Sequence, residues 1–166
     1  MTLNPQKLPS LWKVASDCSE AQIEALATLL ANQLKARDRV MLEGPLGAGK
    51  TTFTRYLLKA LKIIQAPEGS PTFALVHEYQ APIGEVAHID FYRIRSETEI
   101  DDAGIPSYYW ERDLLVISEW LSAWPDFECK VLKSGRAWKI KIDFDPHNSS
   151  RRTVNITTNI STIDPI

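Results

Sequence analysis

The stretch GPLGAGKTTF at residues 44–53 concentrates residue types that bind phosphate groups. Three of the chain's seven glycines fall within six positions, and Lys50 and two threonines follow at once. Backbone N–H groups of a tightly curled loop can point at an anion, and a helix that begins there adds its own free N–H groups. Lys50 would bridge the terminal phosphates, and the Thr51 hydroxyl is an oxygen ligand of the kind that Mg²⁺ prefers. The spacing predicts a nucleotide-binding loop formed by Gly44, Leu46, Gly47, Ala48, Gly49, Lys50, Thr51 and Thr52.

Two acidic residues at the ends of predicted strands could complete this site. The sequence VAHID ends at Asp90, and LLVISE ends at Glu119. Strand ends of this kind converge on the ligand in open α/β sheets, and an acid there can hold Mg²⁺ or its water. We expect Asp90 to assist the metal and Glu119 to orient or deprotonate the attacking water. The exchanged assignment, and a solvated acid at either strand end, remain open alternatives.

Three neighbouring residues each have two interpretations. His88 shares a strand face with Asp90, and a packed, neutral core histidine is the favoured interpretation. Thr72, in GSPTF, is either a turn residue or a hydroxyl that reaches Mg²⁺ as switch-loop threonines do. Trp120 either packs in the interior, which spacing alone favours, or lines the nucleotide.

The candidate site residues must be positioned by helices and strands. Strands and helices alternate in the first part of the chain, and strands pair with each other in the last part. A capping box at Ser19 and Gln22 starts an amphipathic helix, and a hairpin signal lies at Ser134-Gly135. Helices are predicted over 20–35, 50–62 and 96–104, strands over 39–44, 71–80, 85–94 and 113–120, and then two strands within CKVLKSGRAWKIKIDF and a last one in RRTVNITTN. This order predicts an α/β P-loop NTPase fold in three layers, with a mixed sheet that is parallel at its centre and antiparallel at its C-terminal edge.

Bulk properties exclude several classes of protein. A length of 166 residues fits one domain, with about ten residues at the N-terminus and six at the C-terminus loosely ordered. A net charge of −2 gives no general argument for nucleic-acid or membrane binding. Cys18 and Cys129 are too few for a disulfide framework or a zinc ligand set. The first residues lack the apolar segment of a secretion signal, so a cytoplasmic location is expected.

Four stretches occur together in an order that resembles the TsaE (YjeE) family: GPLGAGKTTF, SPTFALVHEY, HIDFYRI and ISEW. The resemblance runs from about residue 16 to 156. It implies a bacterial ATPase that binds ATP and Mg²⁺ and supports the TsaB–TsaD pair, which places threonylcarbamoyl on adenosine 37 of tRNA. By motif position it assigns Lys50 and Thr51 to the P-loop, Thr72 to a switch-like loop, Asp90 to a Walker B-like strand, and Glu119 with Trp120 to an acidic-aromatic pair. It implies that tRNA is contacted through the complex, with no role for DNA or membrane.

The chain departs from the family pattern at two positions. Pro45 stands where the family usually has a polar residue, within the variable part of the loop, and we expect little effect. Ser118 stands where an aliphatic residue usually precedes the Glu-Trp pair.

Other functions fit parts of this pattern. A small-molecule P-loop kinase is the strongest alternative, because Arg93 and Arg95 could serve an arginine-bearing lid. A GTPase is disfavoured, since the Asn-Lys-x-Asp signature that reads guanine is absent. A nucleotide-sensing subunit with negligible hydrolysis would differ from an ATPase in whether Glu119 and Asp90 do chemistry.

Overall fold

A seven-stranded mixed sheet forms the centre of the computed structural model, which describes residues 10–63 and 75–161. The strands lie in the order β1-β7-β6-β2-β5-β4-β3. Their bounds are β1 Ser10–Cys18, β2 Arg39–Glu43, β3 Val76–Ala81, β4 Gly84–Asp90, β5 Leu114–Glu119, β6 Ala137–Phe144 and β7 Arg152–Thr158.

Five α-helices connect or flank these strands in the described part of the chain. They are α1 Glu20–Ala31, α2 Lys50–Ala60, α3 Glu97–Asp102, α4 Ile105–Trp110 and α5 Pro125–Lys133. Short 3₁₀ turns follow β4 and β5, at Phe91–Arg93 and Leu121–Ala123. Helix α1 begins with the expected capping box, in which the Ser19 hydroxyl accepts from the backbone N–H of Gln22 and the Gln22 side chain accepts from that of Ser19.

The strand directions confirm the predicted fold class. Strand β2 runs parallel to both β5 and β6, and β4 runs parallel to β5. At the C-terminal edge, β7 pairs antiparallel with β6 and with β1. A second antiparallel pair, β3 with β4, lies at the opposite edge and was not predicted. The parallel centre brings the ends of β2, β4 and β5 to the same side of the sheet, where the site lies.

Two hydrophobic cores cover the two faces of this sheet. On β2, Val40 and Leu42 belong to one core and Met41 to the other, because successive side chains of a strand point to opposite faces. Helices α1 and α2 contribute to the first core through residues such as Leu30 and Phe53. Helices α3, α4 and α5 contribute to the second core, which includes Ile100, Ile105 and Val131. The result is the predicted three layers.

The predicted hairpin at Ser134-Gly135 is wrong. Its first half is the last part of helix α5, and Ser134 is the C-cap residue of that helix. Pro125 at the helix start, acids in the first turn and lysines in the last turn stabilise a helix there, so local alternation of apolar residues was the weaker signal. Strand β6 therefore pairs with β2 and β7 rather than with a preceding hairpin strand.

Other elements differ in extent from their predictions. Helix α1 ends at Ala31 instead of residue 35, and the strand predicted over 85–94 ends at Asp90, as its sequence suggested. Strand β1 and helix α4 were not predicted. Of the loose ends predicted for about ten N-terminal and six C-terminal residues, residues 1–9 and 162–166 lie outside the described residues, as do residues 71–74 of the strand predicted over 71–80.

Candidate functional site

The glycine loop connects the end of β2 to the start of α2, as its sequence predicted. Gly44 has φ +140°, and a Cβ there would lie 2.0 Å from the carbonyl oxygen of Ile142 on β6. The loop can therefore pass this close to β6 only with glycine at position 44. Gly49 is the N-cap residue of α2 and has a left-handed conformation at φ +108°, which lets the helix begin directly at Lys50.

Lys50 extends back across its own loop. Its Nζ donates to the carbonyl oxygens of Gly44 at 2.7 Å and Pro45 at 2.9 Å, and it lies 3.8 Å from the centroid of the Trp120 ring. The residue is 4% exposed. Burial lowers the pKa of the Lys50 ammonium, and the carboxylates of Glu119 and Asp90 oppose that change. A buried cation whose hydrogen bonds go to neutral carbonyl oxygens favours the arrival of an anion.

Glu119 is buried beside the first turn of α2. Its Oε2 accepts a hydrogen bond of 3.0 Å from the Thr51 hydroxyl, and its Oε1 accepts one of 3.3 Å from the Thr54 hydroxyl. His88 Nε2 lies 2.9 Å from the same Oε1. Glu119 and His88 are each 1% exposed. The solvated-acid interpretation of Glu119 is therefore wrong, and both oxygens of its carboxylate are held in fixed directions.

Two contacts of Glu119 involve residues outside the predicted site. His88 is buried, as a core histidine would be, but it lies against the carboxylate of Glu119 rather than in an apolar environment alone. Thr54 is not among the residues of the predicted site. It lies three residues after Thr51 and so shares a helix face with it, a signal that could have identified it.

Asp90 lies beside Glu119 on the neighbouring strand. The two residues are register partners of the parallel pair β4–β5, so both stand where the strands end. Asp90 is 7% exposed, and its Oδ1 accepts a hydrogen bond of 3.0 Å from the backbone N–H of Tyr92. The sequence prediction that these two acids converge is confirmed.

Trp120 borders the site instead of packing wholly in the interior. It adopts φ +64°, which is uncommon for a residue with a side chain, and its ring lies 5.0 Å from that of Tyr92. Together with the Lys50 contact, this orientation places the indole at the wall of the site.

A cavity of about 390 Å³ lies over these groups. Of the predicted residues, it is lined by Leu46, Gly47, Gly49, Lys50, Thr51, Thr52, Asp90, Glu119 and Trp120, and it also meets Tyr92 and Arg93. We call this the main cavity. Thr72 lies outside the described residues, so the structure does not place it.

A second cavity, of about 200 Å³, shares Gly47, Gly49 and Thr52 with the main cavity. Its other lining residues are Cys18, Glu20, Ile23, Ala48, Ser150 and Arg152. Apart from Ala48, none of these residues belongs to the predicted nucleotide-binding site. They come from opposite ends of the chain and meet through the pairing of β1 with β7, which no local pattern predicts.

The oxygen donors near Lys50 suit a hard cation. Within residues 10–63 and 75–161, no three His, Cys, Asp or Glu side chains gather closely enough to hold a metal ion between them. Mg²⁺ needs no such cage, because it usually takes one or two carboxylates together with phosphate oxygens and water. The Thr51 hydroxyl and the carboxylates of Glu119 and Asp90 fit that requirement.

None of the helices in the described residues has the length and apolar character needed to cross a membrane.

Comparisons with known proteins agree on one family. The chain is 43% identical over 97 residues to the tRNA threonylcarbamoyladenosine biosynthesis protein TsaE of Aquifex aeolicus, covering 56% of this chain and 72% of that protein. It is 37% identical over 99 residues to TsaE of Bacillus subtilis, covering 60% of each. For the TsaE of Rickettsia conorii, the match is 39% identical over 102 residues and spans 61% of this chain but 57% of that protein.

Structure and family profile extend the match over most of the chain. The crystal structure of Bacillus subtilis YdiB superposes with a TM-score of 0.68, at 23% identity, over 93% of this chain and 90% of that one, which shows a shared fold. The profile described as "Threonylcarbamoyl adenosine biosynthesis protein TsaE" matches residues 18–154. The chain thus has the P-loop NTPase fold and belongs to the TsaE family, which takes part in the biosynthesis of threonylcarbamoyladenosine in tRNA.

Proposed function

We propose that this chain binds Mg²⁺-ATP in the main cavity and hydrolyses it, in the cytoplasm, as the ATPase component of the machinery that makes N6-threonylcarbamoyladenosine at position 37 of tRNA. The observation that carries the proposal is the contact between Thr51 and Glu119. It joins the hydroxyl at the start of the P-loop helix to a buried carboxylate at the end of a parallel strand, 3.0 Å apart.

Lys50 is the proposed partner of the terminal phosphates. Its ammonium bonds to two neutral carbonyl oxygens and faces an aromatic ring. A phosphate oxygen would be a stronger partner, because a hydrogen bond between two charged groups is about twice as strong as a neutral one. The backbone N–H groups at the start of α2 would supply further donors.

Thr51 and Glu119 are the proposed protein ligands of Mg²⁺, directly or through water. The metal would neutralise charge on the phosphates during transfer to water. Asp90, one strand further from the loop, would then orient the attacking water. This is the exchanged assignment, and the short contact of Glu119 with Thr51 supports it. His88 would hold the Glu119 carboxylate in place. Thr72 is proposed as a further metal ligand on the family resemblance alone.

The second cavity is the proposed location of the nucleoside. Thr52 lines both cavities, so a phosphate chain that starts near Thr51 can continue past Thr52 into it. The cavity combines the apolar Ile23 with the polar side chains of Glu20 and Ser150, a mixture that suits a base and a ribose. ATP is proposed over GTP because the guanine signature is absent.

TsaB–TsaD is the proposed protein partner, with tRNA reached through that complex. The family assignment and the names of the relatives support a role in this modification. A small-molecule kinase is the alternative, and Arg93, which lines the main cavity, is the residue it would use.

Calorimetric titration of Mg²⁺-ATP into the purified chain tests the binding step. Wild type should bind, and Lys50→Ala should lose most of the affinity because a buried cation that faces the phosphates is removed. Lys59→Ala is the matched control, since Lys59 lies on the same helix but is exposed and pairs with Glu24. Equal affinity of the Lys50 and Lys59 variants would refute the proposed site.

A further inference from the structure

Arg152, the first residue of β7, contacts the phosphate-binding loop from the side of the second cavity. Its Nε donates to the carbonyl oxygen of Ala48 at 2.8 Å, and its Nη2 donates to that of Gly47 at 3.3 Å. Arg152 lines the second cavity and is not among the residues that line the main one. Its guanidinium thus reaches two consecutive peptide groups of the loop.

The arginine is itself held in place. Its Nη1 donates to the carbonyl oxygens of Ser149 at 2.7 Å and Arg151 at 2.9 Å. The guanidinium carbon lies 4.4 Å from the centroid of the Phe144 ring. Gly47 lies against the same ring, because a Cβ at Gly47 would be 3.8 Å from it. A planar group fixed by several acceptors and an aromatic face loses little freedom when it donates to further carbonyl oxygens.

Peptide geometry gives these contacts a consequence for anion binding. The C=O and N–H of one trans peptide group point in opposite directions. A hydrogen bond that fixes the Gly47 carbonyl toward Arg152 therefore turns the N–H of Ala48 away from it, and that N–H donates to the Pro45 carbonyl oxygen inside the loop at 3.1 Å. In the same way, the bond to the Ala48 carbonyl turns the N–H of Gly49 away from Arg152. Because the Ala48 N–H is already bonded to Pro45, the Gly49 N–H is the donor that this orientation offers to an anion-binding concavity.

We infer that Arg152 is a positioning residue for nucleotide binding, which sets the peptide orientations of the phosphate-binding loop before the ligand arrives. This inference rests on the proposed binding of ATP. Arg152 acts through Gly47 and Ala48, without direct contact to phosphate. Preorganising the loop lowers the cost of ordering it when the nucleotide binds.

Arg152→Ala and Arg151→Ala form a matched pair for the test. Arg151 is the neighbouring arginine, and its side chain pairs with Asp17 at 3.1 Å rather than with the loop. We expect Arg152→Ala to bind Mg²⁺-ATP about tenfold more weakly than Arg151→Ala, since charged donors to two carbonyls are lost. The midpoint of thermal unfolding should be similar in the two variants. Arg152→Gln serves as the second variant if Arg152→Ala does not fold.

Hydrogen exchange of residues 45–52 in nucleotide-free protein separates positioning from direct contact. The inference predicts faster exchange in the Arg152 variant than in the Arg151 variant, and partial recovery of ATP affinity on adding millimolar guanidinium chloride but not sodium chloride. Weaker binding with unchanged exchange would mean that Arg152 touches the nucleotide directly, and would overturn the inference. Equal affinity in the two variants would overturn it as well. If wild type binds no nucleotide, the proposed function fails, and the exchange comparison still decides whether Arg152 orders the loop.

Discussion

Glu119 connects more of the site than any other side chain described above. It accepts hydrogen bonds from two hydroxyls of α2, lies 2.9 Å from the His88 ring and stands beside Asp90 in register. Burying a carboxylate is costly unless such partners compensate it. The same partners fix its direction, which is what a metal or water ligand requires.

Glu119→Gln should separate binding from turnover. The amide keeps the volume of the side chain but removes the charge that would hold Mg²⁺, so turnover should fall by about 100-fold or more. ATP affinity in the absence of Mg²⁺ should persist, because no phosphate contact is lost. Titration of ATP with and without Mg²⁺, together with phosphate release in a single turnover, measures both effects.

Two further variants complete that test. Asp90→Asn should also lower turnover but keep the Mg²⁺-dependent gain in ATP affinity, whereas Glu119→Gln should lose that gain. Glu85→Gln, at an exposed position of β4, should behave as wild type. If Asp90→Asn loses the gain and Glu119→Gln keeps it, the metal belongs to Asp90.

Sequence alone could predict the residues of this site that lie in contiguous motifs. Lys50 and Thr51 follow from the loop spacing, and Asp90 and Glu119 follow from buried strands that end in acids. Arg152 and Cys18 could not be predicted, because their approach to the loop depends on long-range pairing of β1 with β7. Spacing favoured an interior Trp120, since it cannot reveal that the residue adopts φ +64° and turns toward Lys50.

At the scale of elements, the phosphate-binding loop passes close to β6 at Gly44. Gly44→Ala should destabilise the fold strongly, because the new Cβ would meet a backbone oxygen 2.0 Å away in addition to the strain at φ +140°. Gly84→Ala is the matched control. Gly84 has φ +119° with no heavy atom within 4 Å of the added Cβ, so it should cost only the strain of about 1–3 kcal/mol. Urea unfolding of both variants measures the difference, and equal losses would show that the loop can shift away from β6.

A second element-scale prediction concerns the link between β3 and α4. Arg112 and Tyr108 donate hydrogen bonds to Glu78 and lower its pKa from 4.5 to about 2. A carboxyl with a lowered pKa in the folded state stabilises above its ordinary pKa, and this stability disappears as the pH falls from about 4.5 through about 2. The Glu78 side chain is 50% exposed, so screening limits the effect to about 1 kcal/mol or less.

The free energy of unfolding of wild type and Glu78→Gln, measured as a function of pH, checks the direction of this pH dependence. Glu78→Gln should be less stable at pH 6, and the difference in free energy of unfolding should shrink toward pH 3 and below. Arg112→Gln should show a similar convergence with wild type. A difference that stays constant over the whole pH range would contradict the role of Glu78.

The elements differ in how far local sequence determines them. Helix α2 and strands β2 and β5 are predicted correctly, because the spacing of their apolar residues and the position of the glycine loop indicate the same elements. The alternation of apolar residues predicts a strand where helix α5 forms, although Pro125 and the lysines of its last turn are helix signals. Helix α4 has six residues, too few for a clear period, and is fixed by burial of Ile105 and Tyr109.

At the scale of the whole molecule, the two cores hold four parallel strands, β6, β2, β5 and β4, whose ends lie on the side of the sheet that carries the phosphate-binding loop. The sheet order places β5 and β6 on either side of β2, so the loop is bounded by Glu119 on one side and by Ile142 on the other. The net charge of −2 gives the chain no general attraction to tRNA, which agrees with a proposed role exerted through protein partners.

The rate of phosphate release from ATP, measured for the chain alone and with TsaB–TsaD, with and without tRNA, tests whether the chain is a partner-stimulated ATPase. We expect slow release by the isolated chain and faster release with the partners, both abolished by Glu119→Gln. No stimulation by the partners, with phosphate transferred instead to an added small metabolite, would contradict the account and establish a kinase.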